Sequence, residues 1–77
     1  MLKYIVVKDS LKGELIIVFQ PFLVHREVAD RFSDCEPLSA GFVTVSGGIE
    51  CFGKSKTLFL KSRDEEDSIL LKEAQIM

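Results

Sequence analysis

Phe42-Val43-Thr44-Val45-Ser46-Gly47-Gly48-Ile49-Glu50-Cys51-Phe52 is a pair of β-rich runs joined by Ser-Gly-Gly. Phenylalanine, valine and isoleucine suit a pleated, half-buried surface, and Gly-Gly supplies the positive φ of a tight hairpin. Two registers compete. A two-residue loop at Gly47-Gly48 would pair Val45 with Glu50 and set a carboxylate among apolar neighbours. A three-residue loop, Ser46 to Gly48, pairs Val45 with Ile49, Thr44 with Glu50, Val43 with Cys51 and Phe42 with Phe52. It segregates Val43, Val45, Ile49 and Cys51 on one face and Thr44 and Glu50 on the other. A one-residue slip exchanges faces, so the segregated register is expected, with Gly48 left-handed in a bulge.

Upstream, Lys3 to Lys8 reads as a strand with Tyr4 and Val6 on one side and Ile5 and Val7 on the other. Asp9-Ser10-Leu11-Lys12-Gly13 carries turn chemistry. Glu14 to Gln20 completes a first hairpin. Its Leu15-Ile16-Ile17-Val18-Phe19 core is apolar on both faces, the pattern of a central strand covered on both sides. Pro21 ends it. Val24, Val28 and Phe32, with Ala29 alongside, have helical spacing, and Arg26, Glu27, Asp30 and Arg31 fill the other positions. His25, near the helix start, has no second ligand or nucleophile beside it and reads as a surface or capping residue. Ser33 to Pro37 leads into the central hairpin.

Downstream, Gly53 to Lys56 reads as a turn and Thr57-Leu58-Phe59-Leu60 as a short extra strand. Ser62-Arg63-Asp64-Glu65 matches a capping box, in which the Ser62 hydroxyl takes the amide of Glu65. Asp64, Glu65, Glu66 and Asp67 crowd the first turn of the C-terminal helix, where the macrodipole favours anions. Ile69, Leu70, Leu71 and Ala74 form its expected apolar stripe, and the last residues are expected to fray. The fold class that results is α+β in a single domain, residues 1–77. It is a small antiparallel sheet of two hairpins plus a short extra strand, with two short helices packed on one face.

Composition limits the function. A 47% hydrophobic content is high for so short a chain, and two short helices leave little to cover both sheet faces. A homodimer is the expected remedy. No apolar run approaches the roughly 18 residues of a membrane span, and Asp9 and Lys12 interrupt the first run too early for a secretory signal. The expected location is therefore cytoplasmic. A net charge of −2 gives no global attraction to nucleic acid. Cys35 and Cys51, with a single histidine in the chain, match no zinc framework and read as reduced thiols. No metal or other cofactor is expected.

One chemical motif is present by letter. Gly48-Ile49-Glu50-Cys51-Phe52-Gly53-Lys54-Ser55 satisfies G-x-x-x-x-G-K-[ST], whose backbone amides cradle phosphates in nucleotide-binding loops. Here the middle positions are bulky and include a carboxylate. The residues after Ser55 are β-type rather than helical, and 22 residues, 56–77, are too few for the remaining units of such a domain. A kinked strand is the better reading, and no catalytic residues are assigned. The leading functional expectation is a non-enzymatic interaction protein with a protein partner. The alternative is nucleic-acid binding through Lys54, Lys56, Lys61 and Arg63, beside Phe52 and Phe59. Lysines guarding a strand edge explain the same residues.

Ser39-Ala40-Gly41-Phe42, together with the stretch Ser55 to Asp67, resembles a group of small uncharacterised phage and prophage proteins. Their pattern is Ser-Ala-Gly-Phe before a strand, then Gly-x-Ser-x-Ser-Leu-x-Leu-x-Ser-Arg and acidic residues. Here Gly53 to Arg63 carries the second part, with Thr57 in place of serine. The resemblance covers roughly the second half of the chain. It implies a phage or prophage origin, no biochemical activity, and a structural corner at Ser62-Arg63.

Overall fold

The computed structural model describes the backbone of residues 1–76 and the side chains of residues 1–74; the expected fraying of the chain end falls largely outside them. The elements are β1 (Leu2–Asp9), β2 (Gly13–Phe19), α1 (His25–Asp30), β3 (Glu36–Thr44), β4 (Glu50–Phe52), β5 (Lys54–Ser55), β6 (Leu60–Lys61) and α2 (Glu65–Ile76). The fold is α+β. Four strands form an antiparallel sheet in the order β2-β1-β3-β4, and β5 and β6 form a separate two-stranded hairpin.

The central hairpin has the segregated register: Phe42 pairs with Phe52, Val43 with Cys51 and Thr44 with Glu50. Gly48 takes φ +116° in its turn. In the first hairpin Asp9 Oδ1 accepts the amides of Leu11 (2.7 Å) and Lys12 (3.1 Å), and Gly13 follows at φ +82°. An acceptor two and three residues before its donors and a left-handed glycine after them make this turn from local chemistry alone.

The sheet is covered differently from expectation. Tyr4, Val6, Val43 and Cys51 meet α2 through Leu71 and Leu70 on one face. Ile5, Val7 and Ala40 meet Val28 and Ala29 of α1 on the other, with Leu58 and Leu60 added from the β5–β6 hairpin. The two helices therefore lie on opposite faces, not one, and a bare sheet face is no longer a reason for self-association. The central strand is β1, where Tyr4 to Val7 are 0–1% exposed; β2, expected at the centre, is an edge, with Leu15 to Phe19 half-buried.

Three local expectations also change. Thr57 to Leu60 is not a strand, because residues 56–59 form the loop between β5 and β6, where Ser55 Oγ accepts the Leu58 amide at 3.2 Å. The capping box does not close: Ser62 Oγ accepts the amide of Asp64 at 2.9 Å, and Asp67 takes that of Arg63 at 2.9 Å. The inward face of α2 is Asp67, Ser68 and Leu71, while Ile69 and Ala74 are exposed. This helix docks by polar contacts as well as apolar ones, since Ser68 Oγ accepts the amide of Cys51 at 2.8 Å and donates to Asp64 O at 2.8 Å.

Candidate functional site: a lysine-rimmed pocket

Strand register builds an aromatic row across one end of the sheet. Lys3 is paired on one side with Phe19 and on the other with Phe42, and Phe42 is paired with Phe52. Paired residues in an antiparallel sheet share a face, so these four side chains form one row. His25 stands edge-on over it, with its ring 5.4 Å from Phe19 and 5.9 Å from Phe42, and the Phe42 and Phe52 rings lie 6.1 Å apart. Its Nε2 donates to Gly41 O at 2.9 Å.

His25 is 5% exposed, not a surface or capping residue. The sequence did hold a signal. Residues 25, 28, 29 and 32 follow helical spacing as well as 24, 28 and 32 do, and it is the former set that turns inward. Burial pushes the imidazole pKa down, and the Lys3 ammonium adds to this, against the opposing pull of the Gly41 bond. The ring is thus neutral near pH 7. A group with a depressed folded pKa favours the unfolded chain as it protonates, so stability is full above the ordinary histidine pKa of about 6.5 and declines below it. The thermal midpoint should fall between pH 7 and 5.5, and the slope should flatten in His25→Phe; an identical slope in the variant would contradict this assignment.

Beyond Phe52 the chain passes from the main sheet to the second hairpin through Gly53, whose φ is +82° and whose open side is closed by the Phe42 ring. A β-carbon there would meet both constraints. Gly53 leads into β5 and β6, where Lys54 pairs with Lys61 and Ser55 with Leu60. Thr57 Oγ1 in the connecting loop accepts the Arg26 amide at 3.2 Å, which ties the loop to the first turn of α1. Between them lies an open pocket of about 510 Å³, lined by Lys3, Val24, Phe42, Phe52, Lys54 and Lys56 among others. A second, of about 290 Å³, lies against the hairpin itself and is lined by Lys54, Lys56, Phe59 and Lys61. Phe59 is 92% exposed and holds φ +56°. A left-handed non-glycine residue costs roughly 1–2 kcal/mol, so this loop keeps a phenyl group in solvent at some conformational expense.

Of the six residues singled out from the sequence, five meet at these two pockets: Phe52, Lys54, Lys56, Phe59 and Lys61. Arg63 is placed elsewhere. Its guanidinium lies 2.8 Å from Glu14 and 2.9 Å from Asp67, and the Glu14 hydrogen bond foremost raises its pKa. Lys3 and Phe42 were missed because their contribution depends on pairing across strands far apart in sequence. Among the described residues no carboxylate lines either pocket, and the only ion pairs are those of Arg63. The acidic start of α2 borders a different cleft, where Asp64 and Glu65 lie with Ser68 and Lys72.

The nucleotide-loop motif has no phosphate cradle. Its residues run through β4, Gly53 and β5, and Lys54-Ser55 is strand rather than the start of a helix. Cys35 and Cys51 are free thiols in the clusters on opposite sides of the sheet, and burial raises the pKa of each. Among the described residues no group of three or more His, Cys, Asp or Glu side chains could hold a metal ion, and no helix is long and apolar enough to cross a membrane.

Comparison of the chain with protein-family models, with curated proteins and with solved structures found no match.

Proposed function

We propose that this protein is a non-enzymatic interaction module, an accessory protein of phage or prophage origin, which takes a segment of a partner protein into the lysine-rimmed pocket. The observation that carries the reading is an apolar floor, Phe42, Phe52 and Val24, bordered by Lys3, Lys54 and Lys56 with no carboxylate among the described lining residues. Such a site selects an apolar or aromatic anchor flanked by acidic side chains. The anchor removes apolar surface from water, and the flanking charges meet lysines whose field is not cancelled locally. The chemistry of the other reactive groups agrees with binding rather than catalysis. His25 Nε2 is committed to a backbone carbonyl, and both thiols are held toward their protonated form.

A second reading is single-stranded nucleic-acid binding. It is favoured by the exposed Phe59 ring among Lys54, Lys56 and Lys61. Base stacking needs free ring faces, and Phe42 and Phe52 pack against each other and, for Phe42, against His25. Only Phe59 presents such a face, so the protein-partner reading ranks first.

Capture from nuclease-treated lysate tests the two together. Wild-type protein should retain a defined protein, and the Lys54→Glu, Lys56→Glu double variant should lose it by tenfold or more, since two attractions become repulsions of about 1 kcal/mol each. Retention unchanged in the double variant would remove the pocket from the account. Material lost on nuclease treatment, and lost again in Phe59→Ala, would reverse the order of the two readings.

A further inference from the structure

The two edges of the main sheet are finished differently. At β4 the strand is three residues long and the amide of Cys51 is taken by Ser68 Oγ from α2. At β2 the strand is seven residues long, and among the described residues nothing pairs with its outer side. It also lacks the usual edge protection. Gly13 to Phe19 contains no proline and no lysine, and its pairing with β1 runs without a bulge. The outer amides and carbonyls of such a strand are satisfied fully by another strand.

We infer that β2 pairs with β2 of a second copy of this chain, antiparallel, about a two-fold axis midway between the two copies of Ile17. A two-fold axis normal to the sheet keeps each side chain on its own face, so one residue must face its own copy across the axis, and the side chains decide which. About Ile16, Glu14 would lie across from Val18 and Gly13 from Phe19. About Ile17, Ile16 lies across from Val18 and Leu15 from Phe19. Every central pair is then apolar, and Glu14 lies across from Gln20. That is the same segregation that selects the central hairpin's register. The strand carries one charge, Glu14, and this alignment opposes it to a neutral amide rather than to itself. Leu15 to Phe19 are only half-buried in the single chain, and pairing covers them on both faces of the sheet. Leu11, 93% exposed, and Phe22, 79% exposed, flank the two ends of β2. Each is brought against the opposite end of the second copy. The occupant is thus a second copy because the edge is complementary to itself, and the lysine-rimmed pocket plays no part in it.

Sedimentation velocity over a wide concentration range tests the inference, with two substitutions at the exposed Gln20. Gln20→Lys sets an ammonium across from each Glu14 and should tighten the dimer roughly 3- to 10-fold; Gln20→Glu opposes carboxylates and should weaken it by a similar factor. Neither touches the core, so at concentrations low enough for monomer both variants should unfold as the wild type does. A monomer at every concentration would overturn the inference. So would a dimer whose Kd ignores both substitutions.

Discussion

Asp67→Ala is expected to lower stability by about 3 kcal/mol, at the lower end of the range for breaking a buried ion pair because the Arg63 side chain stays 27% exposed. Asp67 is 0% exposed and joins three parts of the chain. The Tyr4 hydroxyl donates to Oδ2 at 2.5 Å and lies 2.5 Å from Ser62 Oγ, whose hydrogen it can accept. The Arg63 amide donates to Oδ2 and the guanidinium Nε to Oδ1, each at 2.9 Å. Alanine leaves the Tyr4 hydroxyl in the interior without its acceptor and removes the acceptor that starts α2. A 77-residue chain at roughly 0.05–0.15 kcal/mol per residue has about 4–12 kcal/mol in all. The thermal midpoint should therefore drop by roughly 12–24 °C. A drop of only a few degrees would show that the network contributes little.

The same carboxylate sets an acid limit. Burial alone would raise its pKa, but the hydrogen bonds from Tyr4 and the Arg63 amide and the charge of Arg63 outweigh this, and it is held below the ordinary range. Its contribution is present above the unfolded value of about 3.9 and is lost as pH falls through the folded one. Wild-type protein should lose stability below about pH 4 by a component absent from Asp67→Ala, well separated from the His25 window.

Gly41→Ala is expected to cost about 3 kcal/mol, and the cause is steric. A β-carbon at residue 41 would run into the backbone carbonyl of Phe52 and crowd the Ser62 side chain. Backbone cannot rotate aside as a long side chain can, so β3 and β4 must part. The Gly41–His25 hydrogen bond and the Phe42–Phe52 contact depend on that alignment. The estimate is the upper part of the range for overpacking a core. With an m value near 1 kcal/mol/M for so small a domain, the urea midpoint should fall by about 3 M. Gly47→Ala serves as the control, since nothing lies within contact of a β-carbon there, and its midpoint should stay close to wild type.

Much of the fold was legible from local pattern. The central register followed from segregating Val43 and Cys51 from Thr44 and Glu50, and the first turn followed from Asp9 and Gly13. What failed was global placement. Leu15 to Phe19 reads as central because it is apolar on both faces. Yet an edge strand between two helices can half-bury both faces, while in β1, which has five apolar residues of its own, Tyr4 to Val7 are fully covered because strands flank them on both sides. Asp67 was hidden among four consecutive acids, and its spacing of four from Arg63 was the available sign. Thr57 to Leu60 has strand composition but becomes a loop because the Ser55 and Thr57 hydroxyls capture nearby amides. The candidate site was half legible: the cluster from Lys54 to Lys61 is contiguous, whereas Lys3 and Phe42 join it only through the β1–β3 register.

The most direct measurement is photocrosslinking in cell lysate from a benzophenone side chain placed at Lys56, at the pocket rim, with the same group at Glu73, an exposed residue of α2 away from both the pocket and the β2 edge, as control. The expected result is a discrete protein adduct from position 56 that survives nuclease and is absent from position 73. No protein adduct at position 56, or equal adducts at both positions, would contradict the assignment of this pocket as the binding site.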